Sequence, residues 1–473
     1  MLALARAALA PVLAPARASL LAPLAALLWL AAPASAAVDI QEVTSPGGVE
    51  AWLVEEPSLP FVALEFRFMG GASLDEPGAE GATNLMAALL EEGAGERDAA
   101  EFAAAREALA ARMRFAAGDD AVSVSAQFLT ENRDEAAGLL RDALVSPRFD
   151  EAAIERVRAQ VLSGIRSDAT DPGAIASEAF DRAAFGDHPY GGPADGTAES
   201  VAALDRDDLV AAHEAALARD RVVVAAAGDI DAEGLGLLLD EILGDLPEEG
   251  APLPPAAEVS LDGGVEVVPF ETPQSVVLFG HEGILRDDPD YIPAFVLIEM
   301  LGGRGFESRL MQELRVERGL TYGVGAALVP RERAGTVQGQ VATANATVEE
   351  AIAAVRGEWE RLREDGVSQE ELEETITYLT GAYPLRFDGN AAIADLLVGM
   401  QIAGLSPSYV EERNELVRAV SPEDLARVAE RVLRPEALTF VVVGQPEAPG
   451  GAAEVEPASA PAPDPAPDPA PAE

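Results

Sequence analysis

The chain reads as an α+β protein of two tandem homologous domains, each a mainly antiparallel sheet with helices packed on one face. Three observations carry that expectation. The first is an internal repeat. Leu204-Asp-Arg-Asp-Asp-Leu209, a helical stretch and Val222–Gly228 reappear as Val420-Ser-Pro-Glu-Asp-Leu425, a helical stretch and Phe440–Gly444. Leu209 and Leu425 are 216 residues apart, as are Gly228 and Gly444, and Leu162-Ser-Gly164 echoes Leu379-Thr-Gly381 at a spacing of 217. A period this long marks a duplicated domain rather than a solenoid of short units. The second is a period-two alternation that predicts strands over Phe61–Phe68, Ala121–Phe128 and Gln274–Gly280. The third is helical periodicity over 80–92, 98–112, 135–145, 150–165, 347–364 and 369–382. Strands followed by runs of helices give helices layered on one side of a sheet.

Along the chain, residues 1–36 have the form of an export signal. Arg6 and Arg17 precede or flank a Leu/Ala run over 19–32, and Ala34-Ser35-Ala36 is a small-residue cleavage site. The competing expectation is an uncleaved anchor, since no charge occurs from Ala18 to Val38; Pro23, Pro33 and the small-residue end favour cleavage and a periplasmic location. Residues 37–248 form the first predicted domain. Residues 249–256, inside the proline-rich stretch Pro247–Pro255, form a linker, and residues 257–445 form the second domain. Residues 446–473 are rich in Ala, Pro and Asp, cannot bury a core, and predict an extended tail.

A chain of 473 residues is long enough for two domains with real cores. Its 82 acidic residues against 33 basic ones give a formal charge of −49, which repels nucleic acid and anionic lipid and argues for no nucleic-acid partner and no membrane association after signal removal. Every basic residue counted is arginine, so lysine Schiff-base chemistry and a P-loop lysine are excluded. The absence of cysteine excludes disulfides, thiolate metal sites and cysteine nucleophiles.

The most informative stretch is Gly302-Gly-Arg-Gly-Phe-Glu-Ser-Arg-Leu-Met-Gln-Glu-Leu-Arg-Val-Glu-Arg-Gly-Leu-Thr-Tyr322. It predicts a glycine turn, a helix beginning near Glu307 and the start of a strand. Gly302, Gly303 and Gly305 let the chain turn tightly; as a nucleotide loop they lack a preceding Rossmann strand. Two further stretches accompany it, Gly70-Gly-Ala-Ser-Leu-Asp-Glu-Pro77 and Phe185-Gly-Asp-His-Pro-Tyr-Gly191.

Together these stretches resemble the pitrilysin family of inverted-zincin metallopeptidases, which includes the mitochondrial processing peptidase. The resemblance covers residues 40–445 and implies two tandem domains, each a six-stranded sheet with helices on one side. In that family an H-x-x-E-H helix supplies two zinc-ligating histidines and a glutamate that activates water, with a later glutamate as third ligand. Here Asn84, Ala87 and Ala88 stand at the first set of positions and Gly164 at or next to the last. The resemblance therefore implies no zinc and no catalytic residue in this chain. The three histidines, His188, His213 and His281, are not paired at helical spacing, and structural or surface roles are expected for them.

Arg315 and Tyr322 match the Arg/Tyr pair with which the family's C-terminal domain reaches substrate held at the zinc of another domain or subunit. The competing expectation is an ion pair of Arg315 with Glu313 or Glu317, and a core position for Tyr322. The resemblance thus implies a non-catalytic, substrate-binding subunit of a heterodimeric, exported zinc metallopeptidase. Its partner would be a homologous chain carrying zinc and the intact motif, and its substrates short or unfolded peptides able to add to a sheet edge. The alternative is a catalytically inert structural or peptide-binding protein of the same fold. Metal rebound by a rearranged site is a third possibility that the missing ligands disfavour.

Overall fold

The computed structural model describes residues 39–447 together with Ala453 and Glu454. The predicted signal segment and most of the predicted tail lie outside the described residues. The first sheet is built from β1 (Gln41–Thr44), β2 (Glu50–Glu55), β3 (Phe61–Met69), β4 (Arg112–Ala117), β5 (Ala121–Leu129) and β6 (Val222–Gly228), in the order β1-β2-β6-β3-β5-β4. The second contains β7 (Gly264–Pro269), β8 (Gln274–Glu282), β9 (Val324–Pro330), β10 (Gly335–Ala344), β11 (Thr439–Gly444) and β12 (Ala453–Glu454), in the order β9-β10-β8-β11-β7-β12. Read from the opposite end, β7-β11-β8-β10-β9 repeats β2-β6-β3-β5-β4, while the outermost strands differ: β1 is antiparallel to β2 and β12 is parallel to β7. Most neighbours are antiparallel; β2 runs parallel to β6, and β7 parallel to β11 and β12.

The helices used below are α1 (Ala82–Leu89), α2 (Ala99–Ala108), α3 (Glu151–Asp168), α4 (Pro172–Phe185), α5 (Arg206–Ala216), α6 (Val348–Asp365), α7 (Asn390–Ile402) and α8 (Pro422–Val432). Asp205 opens α5 and Ser421 opens α8, each through a reciprocal capping box with the third helical residue. These caps are the same position of the duplicated unit, which is why the sequence repeats there. The predicted helix over 98–112 ends early. Once α2 stops at Ala108, Arg112–Ala117 alternates exposed and covered side chains as a strand.

Each half has its own core. Val62, Leu64, Phe66 and Phe68 project from one face of β3 into the first, and Val277, Phe279, Phe440 and Val442 line the second with Trp359. The opposite sheet faces are covered by exchange between halves. Helix α7, from the second half, lies on β2, β3 and β6. It is tied there by Arg67 to Asp395 at 2.6 Å and by the Gln401 amide donating to the Val224 carbonyl at 2.9 Å. Helix α4, from the first half, lies on β8 and β11, where Ala176, Ala179 and Phe180 share a buried cluster with Val441 and Val443. A Cβ on Gly280 would sit 2.8 Å from the Phe180 ring, so the glycine makes room for it.

The hairpin tips of the two sheets also meet. Arg331, in the β9–β10 turn, donates to Asp119 at 3.1 Å and to Asp181 at 2.9 Å, and its guanidinium lies 4.9 Å from the Phe185 ring centre and 5.1 Å from that of Tyr190. The Glu332 N–H donates to Asp120, as does the Tyr190 hydroxyl, and the Arg333 N–H donates to the Tyr190 oxygen. Burial pushes the carboxyls of Asp119 and Asp181 above the usual range, and the Arg331 charge opposes that shift. Between Leu243 and Gly264, the stretch that includes the predicted linker 249–256, there is no helix or strand.

Candidate functional site

The helix that would carry the metal ligands is α1. Asp75 fixes its start by accepting from the N–H groups of Gly81 and Thr83 and from the Thr83 hydroxyl. Asn84 and Ala88 are half-buried on α1 and Ala87 is buried. Helix α1 packs against α3, which carries Gly164 at an exposed position where a Cβ would meet no atom within 4 Å. A carboxamide, two methyl groups and a hydrogen are not a zinc donor set. Among the described residues no group of three or more His, Cys, Asp or Glu is placed to hold a metal ion. The residues present at these positions do not fit the metal. The acids that follow α1 are already engaged: Glu91 pairs with Arg106 and Glu92 with Arg156.

The three histidines are tied to structural partners. The His188 ring meets the Pro255 carbonyl at 3.2 Å, and His213 meets the Leu144 carbonyl at 2.7 Å. His281, wholly buried on β8, accepts from the Trp359 indole N–H at 3.0 Å, while its other nitrogen lies 2.7 Å from the Glu282 carbonyl. That arrangement requires the neutral ring, and burial holds its pKa down to about 4.

The block at 302–322 is wound differently from the single helix expected. Glu299–Gly303 and Met311–Glu317 are π-helical, separated by a 3₁₀ turn at Gly305–Glu307. Wide turns of this kind place side chains off the ordinary helical spacing and recur at functional sites. Arg315 lies in the second wide segment. One of its N–H groups donates to the Tyr322 carbonyl at 2.7 Å, and its guanidinium lies 4.5 Å from the centre of the Phe306 ring. Among the described residues it has no acidic partner. Of the two expected competitors, Glu317 makes no ion pair with it and Glu313 is taken instead by Arg318 and Arg361; Arg318 also approaches Glu350. Tyr322 lies in the loop before β9 and is 85% exposed, so its ring is not part of the core.

The structure thus brings Arg315 and Tyr322 together through main chain, with donors of the guanidinium still free and the phenol projecting into solvent. Phe306 was missed by sequence reasoning, although an aromatic directly after Gly305 in this block was a usable signal. It is 58% exposed, and like Tyr322 and Val316, the residue after Arg315, it leaves apolar surface in solvent along this block. Beside this block a cleft of about 600 Å³ runs over the second sheet, lined by Gly302, Gly323, Val324 and the β10 stretch 338–342. It borders β9, the last strand of its sheet, whose outer edge no described strand pairs.

Comparison with known proteins agrees with this architecture. A family model described as insulinase (peptidase family M16) matches residues 52–198, and one described as the peptidase M16 inactive domain matches residues 203–379. A Helicobacter pylori protein named non-peptidase homolog YmxG is 27% identical over 390 residues, covering 82% of this chain and 90% of its own. An uncharacterized zinc protease of Streptomyces coelicolor is 25% identical over 404 residues, covering 83% of this chain and 87% of its own. A crystal structure described as the peptidase M16 inactive domain from Pseudomonas fluorescens superposes with a TM-score of 0.81 at 28% identity, covering 88% of this chain and 99% of that one. A chain of complex III2 from Candida albicans shares the fold, with a TM-score of 0.70 at 17% identity and coverage of 86% and 97%. With two matching sheets in mirrored order and the two family models on its two halves, this chain belongs to the peptidase M16 family.

Proposed function

We propose that this catalytically inert M16 protein is the substrate-binding subunit of a heterodimeric, exported zinc metallopeptidase acting on short or unfolded peptides. The observation that carries the reading is the pairing of Arg315 and Tyr322. An arginine without an acidic partner is held by an aromatic face and a carbonyl beside a phenol left in solvent. A scaffold has no need of that geometry, because an exposed Tyr and an unpaired Arg contribute little to stability. Against a peptide bound by a zinc-bearing partner subunit, the guanidinium offers fixed donors to a main-chain carbonyl, and the phenol O–H donates to oxygen as negative charge develops. The free edges of β4 and β9 give an extended peptide a place to add. The exposed apolar side chains of Phe306, Val316 and Tyr322 in this block support docking of a partner near the same place. Periplasmic location is part of the proposal and rests on the sequence of residues 1–36.

The test is hydrolysis of a quenched fluorescent peptide library by this chain, by a homologue carrying the intact H-x-x-E-H helix, and by their mixture. Activity confined to the mixture, and lost with Arg315→Ala or Tyr322→Phe, is the expected result. Full activity of the homologue alone, unchanged by this chain, would defeat the reading. The second reading, an inert peptide-binding or structural protein, draws on the name of the Helicobacter pylori relative as a non-peptidase homolog. It is the one left standing if no tube shows hydrolysis.

A further inference from the structure

The first sheet ends on β4, and the face of that sheet turned away from the core is not wholly covered by α7. Beyond the reach of α7 lies an open groove of about 990 Å³ between β4, β5 and the start of α7. Its floor follows from strand register. Arg112 stands opposite Gln127, Arg114 opposite Ser125 and Ala116 opposite Ser123, so Arg112, Arg114 and the β5 polar residues share one face. Met113 and Phe115 point the other way, into or against the core.

Most arginines here are neutralised. In the groove Arg67 binds Glu65 and Asp395, and Arg106 binds Glu91. Arg112 and Arg114 are exposed, and among the described residues neither side chain has an ion-pair or hydrogen-bond partner. In a chain with 82 acids to 33 arginines, two adjacent arginines on one strand face without a carboxylate are a local excess of positive charge against the charge of the whole molecule. General repulsion from distant acids is screened beyond a Debye length of about 8 Å. Within the groove the carboxylates of Glu65, Glu91 and Asp395 are taken by Arg67 and Arg106, so the charge left over is that of Arg112 and Arg114.

The edge beside them has a fixed phase. The Gly118 N–H donates to the Ala121 carbonyl at 3.0 Å, so Gly118, and by alternation Ala116, Arg114 and Arg112, direct their peptide groups toward β5. The N–H and C=O groups of Met113, Phe115 and Ala117 then face outward. A strand added there has its alternate side chains about 6.7 Å apart on the groove face, the same spacing as Arg112 and Arg114.

We propose that Arg112 and Arg114 form an acceptor site that selects acidic peptide segments, with carboxylate side chains at alternate positions set against the two guanidiniums. The site names a substrate class and in that respect rests on the peptide-binding reading above. It does not use Arg315 or Tyr322 and does not require a partner subunit. Recognition is by charge-assisted hydrogen bonds to carboxylate, which arginine makes in bidentate form.

The test is fluorescence anisotropy with the full chain and two labelled twelve-residue peptides, one alternating Glu with Thr and the other alternating Gln with Thr. The acidic peptide is expected to bind about tenfold more tightly, the worth of two partly exposed charge-assisted contacts. Arg112→Gln with Arg114→Gln should erase the preference, while Arg166→Gln, an exposed arginine on α3, should leave it intact. Equal binding of the two peptides, a preference that survives in the double variant, or no binding of the acidic peptide would each overturn the proposal. The two readings fail separately. Arg112-dependent binding without hydrolysis in the mixed-subunit assay keeps this site and removes the peptidase role. Hydrolysis that depends on Arg315 but shows no acidic preference keeps the role and removes this site.

Discussion

Replacing Arg331 with Met tests whether the hairpin tips latch the two halves. The side chain is 17% exposed, and its partners Asp119 and Asp181 are 27% and 19% exposed. Methionine keeps much of the packing on Phe185 and Tyr190 but leaves two mostly buried carboxylates with no counter-charge. Removing one partner of a buried ion pair costs about 3–5 kcal/mol, and the residual exposure here places the expectation near the lower end, about 3 kcal/mol. The pH dependence separates this cause from lost packing. Both carboxyls already have folded-state pKa values raised by burial. A raised folded pKa means that the native state binds more protons than the unfolded one, so stability is lost as pH rises through that pKa. Without Arg331 the raising effect is unopposed. The deficit of the variant relative to the parent should therefore be largest at pH 8 and shrink toward pH 5. Urea unfolding across that range, followed by tryptophan fluorescence, provides the measurement. A deficit below about 1 kcal/mol, or one of equal size at both ends, would refute the charge argument.

Other perturbations give distinct signatures. Tyr322→Phe should lower kcat of the mixed-subunit peptidase by about 10²-fold, as loss of one oxyanion donor does elsewhere, with unfolding unchanged because the ring is in solvent. Phe180→Ala should cost about 4 kcal/mol in urea unfolding, since the ring is fully buried where α4 crosses β8 and β11. His281, with its pKa lowered to about 4, binds its proton more readily in the unfolded chain, so its contribution to stability is lost as pH falls from about 6.5 toward 4. Between pH 7.5 and 5.5 the loss from this ring alone is about 1 kcal/mol, and His281→Gln should flatten that part of the profile.

The duplication was legible because it reaches into backbone chemistry. Asp205 and Ser421 cap equivalent helices, and Gly228 and Gly444 end equivalent central strands with positive φ. The β3, β5 and β8 alternations were legible because one face of each meets a core. The exchange of α4 and α7 was not, since a hydrophobic stripe states that a helix is covered and not by what. The π-helical winding around Arg315 was hidden for a related reason: a few wide turns do not alter a composition that fits an ordinary helix. Arg315 and Tyr322 were found through the resemblance of their block to the family's Arg/Tyr pair, whereas their support by Phe306 and the Tyr322 carbonyl is a matter of three dimensions. Arg112 and Arg114 were passed over because the predicted helix over 98–112 ran through the start of β4. The alternation Arg112-Met113-Arg114-Phe115 was the available signal, and a net charge of −49 drew attention to the acids instead.

The exchanged helices carry a consequence for how this chain can be divided. By sequence α4 belongs to the first copy of the repeat and α7 to the second, yet each completes the other's sheet. A cut in the proline-rich stretch would separate two polypeptides, each with a bare sheet face and a helix made for its counterpart. Expressed singly, either fragment would present that apolar surface to solvent and aggregate; expressed together, they would recover one another. The heritable module is thus the pair, and a truncation that removes either copy strands the one that remains.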